Sequence, residues 1–542
     1  MPNTNMTNTK FKQNDQMSQS SKRAILLLST SLILGVPACS TLPKQKQIVP
    51  QYAYDIDTQT TTLSKIITPL KSQNPDLTGY HVLYDPLEAI AARIQLIDKA
   101  EKTLDLQYYI WDNDKIGALA LYKIIQAADR GVKVRLLMDD NNAKSMEAVY
   151  LALDQHTNID VKLFNPYKFR KLRPIDMVLD LKRINRRMHN KTFTADNQIT
   201  LIGGRNMSNQ YYNVSDNYQF SDVDVMLAGQ AVDDISHSFD EYWNHPYAYP
   251  VRDIVSHNYT LRFESLKQQL TQHYEEVTVQ NYLDLSNKTH DFDNWLNHDI
   301  QLDWVKAEII KDSPEKIKAK AKKEEHLNFQ LIQRLKKPEK NVDIISAYFV
   351  PQDEGEQRLS SLAQNGIQVR VLTNSFKAND VALVHAFYGK YRKDLLKNGV
   401  ELYEFLPALP EEVQNINNQE ISKKSKVSIK GLSRSSLHAK LMALDDKQVF
   451  IGSFNFDPRS ANLNTEIGVI LNSKPLANAV HKTMDANLKK YAYKLVLNSK
   501  QQINWELDTP NGVKTLTKEP KMNWWKRAGI KVISWLPIEG FM

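Results

Sequence analysis

Two short stretches of the chain carry the same three reactive residue types at the same spacing. In each, a histidine is followed two positions later by a lysine and seven positions later by an aspartate. The residues are His189, Lys191 and Asp196 in the first stretch and His438, Lys440 and Asp445 in the second. A given histidine meets these requirements by chance roughly once in a few hundred trials, and the chain has 13 histidines. Two matches therefore indicate a duplicated site.

A glycine-containing turn and an asparagine follow both stretches at equal distances. They are Gly203, Gly204 and Asn206 in the first copy and Gly452, Ser453 and Asn455 in the second. Glycine allows the backbone to approach a bound group closely, and an asparagine amide can donate a hydrogen bond to an oxyanion. We therefore expect Asn206 and Asn455 to belong to the same site as the histidines.

Two imidazoles and two ammonium groups suit a phosphodiester substrate. A neutral imidazole can attack phosphorus and form a phosphohistidine, while a second, protonated imidazole gives its proton to the departing alcohol and then deprotonates the incoming one. Lys191, Lys440, Asn206 and Asn455 would stabilise the negative equatorial oxygens. This chemistry requires neither a metal nor a cofactor.

Each catalytic histidine needs an acidic partner that fixes its tautomer and raises its basicity. Acidic residues follow both motifs in similar strings, 220–225 and 464–469. Alignment of the two strings places Asp222 opposite Glu466, which makes these two the candidates for the orienting role. Asp224 is the competitor on the first side.

The elements that must position these residues also repeat. Strand, helix and strand patterns occur in that order over 104–111, 117–130 and 131–139, and again over 342–350, 354–364 and 365–373. In each copy a glycine that can end the helix precedes the second strand, as a βαβ crossover requires. The sequence therefore predicts an α/β fold of two tandem units, each with a mixed sheet covered by helices on both faces.

The spacing of two between histidine and lysine predicts that both motifs lie on strands, because residues i and i+2 of a strand share a face. The basic run 316–323 is predicted to be an exposed, solvated helix face near the division between the units. No catalytic role is expected for it.

The N-terminus has the pattern of an export signal. Lys22 and Arg23 precede an apolar run over 24–36, which is too short for a comfortable membrane span. The string that ends at Cys39, the single cysteine of the chain, resembles a bacterial lipobox. We expect residues 1–38 to be a lipoprotein-type signal peptide, Cys39 to be lipidated, and 39–79 to be a linker.

The paired motifs and their glycine–asparagine turns resemble the phospholipase D superfamily. Longer strings, 187–193, 203–206, 220–224, 456–460 and 463–466, are similar to the bacterial cardiolipin synthases, most of all to the C type. The resemblance covers the chain from about Tyr80 to the C-terminus. It implies two phospholipase D-like α-β-α sandwich domains, 80–315 and 316–542, related by a pseudo-twofold axis with the active site between them.

The resemblance further implies a two-step transfer with His189 as nucleophile and His438 as general acid and base. Its members join a phosphatidyl group to phosphatidylglycerol, with phosphatidylethanolamine or another phosphatidylglycerol as donor. The motif aspartates, Asp196 and Asp445, are structural in the family. Gly204 replaces a serine of many relatives while Ser453 is retained, so one hydroxyl contact to phosphate is expected to be missing in the first half.

Basic residues precede both motifs and are candidates for contact with lipid phosphates at the entrance of the site; a solvated face is the alternative. They are Lys168, Arg170, Lys171, Arg173, Lys182, Arg183, Arg186 and Arg187 before the first motif, and Lys423, Lys424, Lys426, Lys430 and Arg434 before the second. Of these, Arg187 and Arg434, together with Ser453, are predicted to bind substrate. The tryptophan-rich C-terminus, 524–537, is predicted to meet the membrane interface or to pack into the domain.

Three other functions compete with cardiolipin synthesis. The same residues could hydrolyse phospholipids to phosphatidic acid, cleave DNA or RNA, or bind lipid without catalysis. Removal of residues 1–38, which carry a net charge of +3, would lower the net charge of the chain from +8 to +5, which is weak for a nucleic-acid groove. Together with the predicted export signal, the predicted anchor and the tryptophan-rich C-terminus, this makes nucleic acid an unexpected partner. We expect a membrane-anchored lipoprotein of the bacterial cell envelope that faces the periplasm, and the sequence is compatible with an additional accessory protein.

Overall fold

The computed structural model covers both predicted units, apart from several segments. The described residues are 42–43, 49–214, 219–256, 259–289, 296, 300–379, 381–406, 435–520, 522–525, 529, 534–535 and 538–541. The predicted signal peptide, Cys39 and Arg434 lie outside them. Within the described part, no helix combines the length and the apolar composition that a membrane span requires.

The first half alternates strands and helices. Its strands are β1 (Thr78–Leu83), β2 (Thr103–Tyr108), β3 (Lys133–Asp139), β4 (Ile159–Phe164), β5 (Thr192–Ala195), β6 (Ile199–Gly203), β7 (Gln219–Ser221), β8 (Asp224–Gly229), β9 (Ala248–Pro250) and β10 (Asp303–Val305). Its helices are α1 (Thr62–Gln73), α2 (Pro86–Lys99), α3 (Lys115–Asp129), α4 (Glu147–Leu153), α5 (Arg173–Leu179), α6 (Leu181–Ile184), α7 (Gln230–Trp243), α8 (Val251–Ile254), α9 (Phe263–Glu275) and α10 (Val277–Thr289).

The second half repeats this alternation. Its strands are β11 (Ala307–Lys311), β12 (Asn341–Ser346), β13 (Gln368–Asn374), β14 (Glu401–Phe405), β15 (Ser435–Leu437), β16 (Lys440–Leu444), β17 (Gln448–Gly452), β18 (Ile467–Leu471), β19 (Ala492–Leu497), β20 (Ile503–Thr509) and β21 (Gly512–Leu516). Its helices are α11 (Leu327–Arg334), α12 (Gln352–Gln364), α13 (Ala382–Lys397), α14 (Pro458–Asn462) and α15 (Lys474–Tyr491).

The two large sheets share one strand order. Within the described ranges, the first sheet runs β10-β1-β8-β6-β5-β2-β3-β4-β9 and the second runs β11-β18-β17-β16-β12-β13-β14-β19-β20-β21. The order from β1 to β9 matches the order from β11 to β19, strand for strand. In both sheets the three strands joined by helical crossovers are parallel and their flanking strands are antiparallel. The predicted α/β fold with tandem units and mixed sheets is confirmed.

Local sequence explains the crossovers. The side chain of Asp114 caps α3 by accepting a hydrogen bond from the Gly117 N–H. Gly131 and Gly366 follow α3 and α12 with φ of 102° and 85°, a left-handed conformation that glycine adopts without steric cost. The chain can therefore turn at once from each helix into the adjacent parallel strand.

The two halves share an apolar core between their sheets. Side chains of β8 and β6, such as Val225 and Ile202, pack in one buried cluster with those of β17 and β18, such as Ile451 and Val469. The chain passes from the first sheet to the second at Lys306, between β10 and β11, shortly before the predicted division at 315/316. Burial of apolar surface between these strands holds the two halves together.

Candidate active site

Main-chain pairing between the halves brings each histidine next to an acidic residue of the other half. Met188 forms a bridge with Thr465, and the His189 N–H donates to the Thr465 carbonyl over 2.8 Å. On the other side, β15 pairs with β7 in parallel, and the His438 N–H donates to the Ser221 carbonyl over 2.8 Å. Glu466 follows Thr465 and Asp222 follows Ser221, so each pairing brings a carboxylate next to a histidine.

The first histidine pairs with Glu466 of the second half. Nδ1 of His189 donates to Oε2 of Glu466 over 2.8 Å, and the Ser453 hydroxyl donates to the same oxygen over 2.5 Å. All three side chains are buried. When Nδ1 donates to this carboxylate, Nε2 of His189 keeps its lone pair for attack.

The second histidine pairs with Asp222 of the first half. Nδ1 of His438 donates to Oδ2 of Asp222 over 2.5 Å. A Cβ atom on Gly204 would lie 2.3 Å from Oδ1 of Asp222, so the missing side chain at 204 makes room for this carboxylate. Asp224, the competing candidate, instead forms ion pairs with Arg93 and Arg205 at 2.8 and 3.3 Å.

Both motif lysines lie against their histidines. Lys191 donates to the His189 carbonyl over 2.6 Å. Nζ of Lys440 donates to the His438 carbonyl and lies 3.0 Å from Nδ1 and 3.3 Å from Nε2 of that ring. The histidines precede β5 and β16 rather than lying within them, which differs from the predicted strand placement. The reason is that their backbone pairs across the interface instead of within the parent sheet.

The remaining motif residues support the backbone. Asp196 accepts backbone N–H groups of residues 101–103, and Asp445 accepts those of residues 339–341, at the starts of β2 and β12. A Cβ atom on Gly203 or Gly452 would lie within 2.6 Å of atoms of the adjacent strand. Close strand packing thus requires glycine at both positions.

The two asparagines differ in their contacts. Asn206 accepts from the Ile110 N–H and donates to the Tyr211 hydroxyl. Both ends of its side-chain amide are therefore hydrogen-bonded within the protein. Asn455 is buried, and its Oδ1 has no hydrogen-bond partner among the described residues. Of the two, Asn455 has the side chain that is less committed to the fold.

Burial and local charge make the two acidic partners unequal. Burial raises the pKa of Glu466 to about 7, although Lys191 opposes this. Burial also acts on Asp222, but the neighbouring His438 and Lys440 prevail and lower its pKa below the ordinary value. At neutral pH, Asp222 is therefore a carboxylate, whereas Glu466 is divided between its two protonation states.

The site also lowers the pKa values of its bases. Burial, followed by the charges of Lys191, Lys440 and His438, lowers the pKa of His189 well below its ordinary value. Burial, followed by Lys440, lowers that of His438. Burial lowers the pKa of Lys191 to about 7. The effect of His438 on His189 places the two imidazoles in one electrostatic environment.

Sequence reasoning missed the aromatic residues around the imidazoles. The Tyr109 ring meets His189 edge-on with centroids 5.0 Å apart, while Tyr211 and Phe220 lie 5.2 and 4.9 Å from His438. Tyr109 directly follows β2, and Phe220 lies two residues before Asp222. Their closeness to predicted site elements is the signal that could have identified them.

Arg459 and Lys316 were also missed as neighbours of the site. The charge of Arg459 contributes to the low pKa of His189. Lys316 is buried and pairs with Asp312 at 2.8 Å, and Asp312 accepts from the Glu466 N–H. The prediction that the run 316–323 is a solvated helix face is wrong for Lys316, because an acidic residue four positions earlier compensates its buried charge.

Two predicted substrate-binding residues have other partners. Arg187 is buried and donates to the carbonyls of Asn165 and Ile184 and to Asp139, so its guanidinium faces the interior. The Ser453 hydroxyl donates to Glu466, and its contact with a phosphate stays a prediction. Gly204 has no hydroxyl that could make the corresponding contact in the first half. The third residue, Arg434, lies outside the described residues.

Comparison with known proteins agrees with this geometry. The family model described as "Cardiolipin synthase, PLD-like domain" matches residues 93–243 and 331–488, one match in each half. Each match contains a complete motif with its histidine, lysine and aspartate. The two halves of this chain are thus two copies of the same domain.

Individual relatives extend along most of the chain. Cardiolipin synthase C of Escherichia coli is 39% identical over 88% of this chain and 99% of its own length. A cardiolipin synthase of Oceanobacillus iheyensis is 22% identical over 76% of this chain and 69% of its own. The phosphatidylserine synthase of Haemophilus influenzae has a similar fold, with a TM-score of 0.51 and 13% identity over 86% of this chain and 96% of that one. The chain belongs to the cardiolipin synthase family of the phospholipase D superfamily of enzymes.

Proposed function

We propose that this chain is a phosphatidyltransferase that forms cardiolipin from phosphatidylglycerol and a second phospholipid, either phosphatidylethanolamine or another phosphatidylglycerol. The observation that carries the proposal is the pair of buried histidine–carboxylate contacts, 2.8 and 2.5 Å long, that cross between the halves. Identity of 39% with cardiolipin synthase C of Escherichia coli supports the choice of product.

The first step transfers the phosphatidyl group to His189. Nε2 of His189 bonds to the phosphorus of the donor while the bond from phosphorus to the headgroup oxygen breaks. His438 gives its Nε2 proton to that oxygen, so the headgroup leaves as an alcohol and not as an alkoxide. Lys191, Lys440 and Asn455 surround the equatorial oxygens and stabilise their charge.

The second step reverses these roles. A glycerol hydroxyl of phosphatidylglycerol gives its proton to Nε2 of His438 and bonds to phosphorus, while the bond between phosphorus and His189 breaks. The product is cardiolipin, and both imidazoles return to their starting state. Phosphatidic acid forms instead when water takes the place of this hydroxyl.

The electrostatics favour this division of labour. The pKa of His189 lies well below its ordinary value, so the ring is neutral and nucleophilic at physiological pH. Asp222 is ionised, because the site lowers its pKa, and it can stabilise an imidazolium on His438. A bound phosphodiester would offset the lysine charge that lowers the pKa of His438, so substrate itself favours the proton that the first step needs.

We infer further that the protein is a lipoprotein of the bacterial cell envelope. The support is the apolar run 24–36 followed by Val36-Pro37-Ala38-Cys39. In this proposal Cys39 carries the lipid anchor and the enzyme faces the periplasm. The variant Cys39→Ala should then move from the membrane fraction to the soluble fraction; retention equal to wild type, measured by immunoblot, would exclude Cys39 as the main anchor.

Product analysis tests the activity. Purified full-length protein is incubated with phosphatidylglycerol alone and with phosphatidylethanolamine added, and lipids are identified by mass spectrometry. A double variant in which both His189 and His438 are replaced is the negative control. Cardiolipin is the expected product. Phosphatidic acid as the sole product would reject the transferase in favour of a hydrolase, and cleavage of single-stranded DNA without lipid turnover would indicate a nuclease.

A further inference from the structure

Exposed apolar side chains are concentrated in one short segment just before the first motif. We name residues 172–181 the apolar platform. Its exposed members are Leu172, Met177, Val178, Leu179 and Leu181. Val178 is 81% exposed and Leu179 is 66% exposed. Such a run of exposed large apolar residues is rare on soluble surfaces and marks a contact site.

Polar side chains within the platform and directly beside it point inward. Arg170 forms two hydrogen bonds of 2.9 Å with the buried Asp140 and a further one of 2.5 Å with Glu147. Arg173 donates to the carbonyls of Asp140 and Asn141 over 3.0 and 2.9 Å. Arg170 and Arg173, which are candidates for lipid contact in the sequence, thus attach the segment to the domain.

The C-terminal end of the segment is fastened in the same way. Asp176 is buried and accepts the Phe169 N–H over 2.8 Å. Arg183 donates to Asn165 over 2.6 Å and pairs with Asp180 at 2.7 Å. Polar groups inside and apolar groups outside are the reverse of the arrangement that water favours. These hydrogen bonds therefore hold the platform in a conformation that suits an apolar neighbour.

The platform adjoins the candidate active site. Asn185 follows α6, and both its side chain and its carbonyl accept hydrogen bonds of 2.8 Å from Arg459. Arg459 is the residue whose charge acts on His189. The chain then continues from Asn185 to His189 itself, so the platform and the nucleophile are joined by a short, hydrogen-bonded path.

We propose that the apolar platform docks the enzyme onto a phospholipid bilayer by inserting into the headgroup boundary. The exposed lysines at its two ends, Lys171 and Lys182, complement the negative charge of anionic lipids. Five exposed side chains are too few for a stable dimer interface, which needs about 800 Å² on each partner. This docking proposal rests on the proposed function, because it takes the substrate to be a phospholipid in a membrane.

Fluorescence tests the contact without relying on turnover. Val178→Cys is labelled with a polarity-sensitive probe in a full chain that also carries Cys39→Ser, so that the label has one site and the anchor is absent. Val513→Cys in the same background is the matched control, since Val513 is an exposed valine of the β20–β21 hairpin. Vesicles contain phosphatidylglycerol and phosphatidylethanolamine, with or without acyl chains brominated near the headgroup.

The proposal requires a blue shift and bromine quenching at position 178 and neither at 513. An unchanged emission at 178 with vesicles would overturn it, and so would equal quenching at both positions. An emission change at 178 that grows with protein concentration in the absence of vesicles would identify a second copy as the occupant instead. These results stand even if no lipid product is found, which separates the docking proposal from the proposed activity.

Kinetics provide the second readout. We expect the double variant Val178→Asp, Leu179→Asp to raise KM for vesicle substrate roughly tenfold, because it removes the burial of two apolar side chains. Turnover of a dispersed short-chain phospholipid should stay within about twofold of wild type, and Val513→Asp should change neither value. Equal losses on vesicles and on dispersed lipid would contradict a docking role.

Discussion

The two halves of the molecule share a strand order but differ at their carboxylates. Glu466, which serves the first histidine, receives a hydrogen bond from Ser453. Asp222, which serves the second, lies where a side chain on Gly204 would be. Glutamate with a neighbouring serine in one pair, and aspartate with a neighbouring glycine in the other, are two solutions for placing a carboxylate next to a histidine. Because the solutions differ in charge as well as in shape, the duplicated site can support two different catalytic roles.

The difference in charge follows from the neighbours of each acid. Lys191 opposes the effect of burial on Glu466 and does not overcome it, so the pKa of Glu466 rises to about 7. Around Asp222, the combination of His438 and Lys440 does overcome burial. An ionised partner suits a histidine that must carry a proton, and a partly neutral partner suits one that must not.

Loss of the histidines tests the division of labour most strongly. His189→Ala should reduce turnover by about 10⁴-fold or more and abolish the phosphoenzyme, because no nucleophile remains. His438→Gln should cost about 10² to 10⁴-fold yet still form a phosphoenzyme from a donor with a good leaving group. Rapid quenching without acid and mass spectrometry of the peptides check this. A phosphoenzyme in the first variant, or none in the second, would reverse the assignment.

The acidic partners come next in expected effect. Asp222→Asn should lower kcat about 10²-fold, because the amide cannot stabilise an imidazolium on His438. Glu466→Gln should lower it only about tenfold, since Glu466 is already partly neutral at pH 7. Steady-state kinetics on both variants, with circular dichroism as the check on folding, measure the ratio. Equal losses would show that the two pairs are functionally alike.

An exchange of the small residues sharpens the comparison further. Gly204→Ser should lower activity about tenfold, because the new Cβ displaces Asp222 from His438. Ser453→Ala removes one hydrogen bond to Glu466 and should cost about fivefold. A Gly204→Ser variant with full activity would mean that Asp222 tolerates displacement, and the spatial argument for glycine at this position would fail.

The smallest expected effect is a pH dependence. The pKa of Lys191 is about 7 in the free enzyme, so the lysine loses its charge as pH rises and kcat/KM should fall about fivefold from pH 7 to pH 8. Lys191→Arg keeps the charge and should remove this decline, whereas the exposed Lys182→Arg should leave it in place. His189 adds no acidic decline near neutrality, because its pKa lies well below the usual range.

Local patterns were sufficient to predict the architecture. The crossover glycines, the alternating strands and the doubled motif all report on contacts that are close in sequence, and the matching strand orders confirm the fold that they predicted. Asp222 and Glu466 could be found as candidates by aligning the halves. Which histidine each acid serves depends on pairings such as Met188 with Thr465, which no local pattern encodes.

The errors have the same physical origin. Lys316 was interpreted from the lysines around it, while its burial depends on the ion pair with Asp312. For Arg170 and Arg173 the sequence predicts either contact with lipid phosphates or a solvated face, and both predictions fail because the acidic partners of these arginines, Asp140 and Glu147, are distant in sequence. Charge can be counted from a sequence, but the compensation of a buried charge depends on tertiary contacts.

The exchange of carboxylates between the halves has a consequence for biogenesis. His189 and Glu466 are separated by 277 positions, and His438 and Asp222 by 216. A nascent polypeptide therefore contains imidazoles that are not yet oriented, and chemical competence arises only when Glu466 of the second half has docked against the first half. The fold itself delays reactivity until both halves have been synthesised.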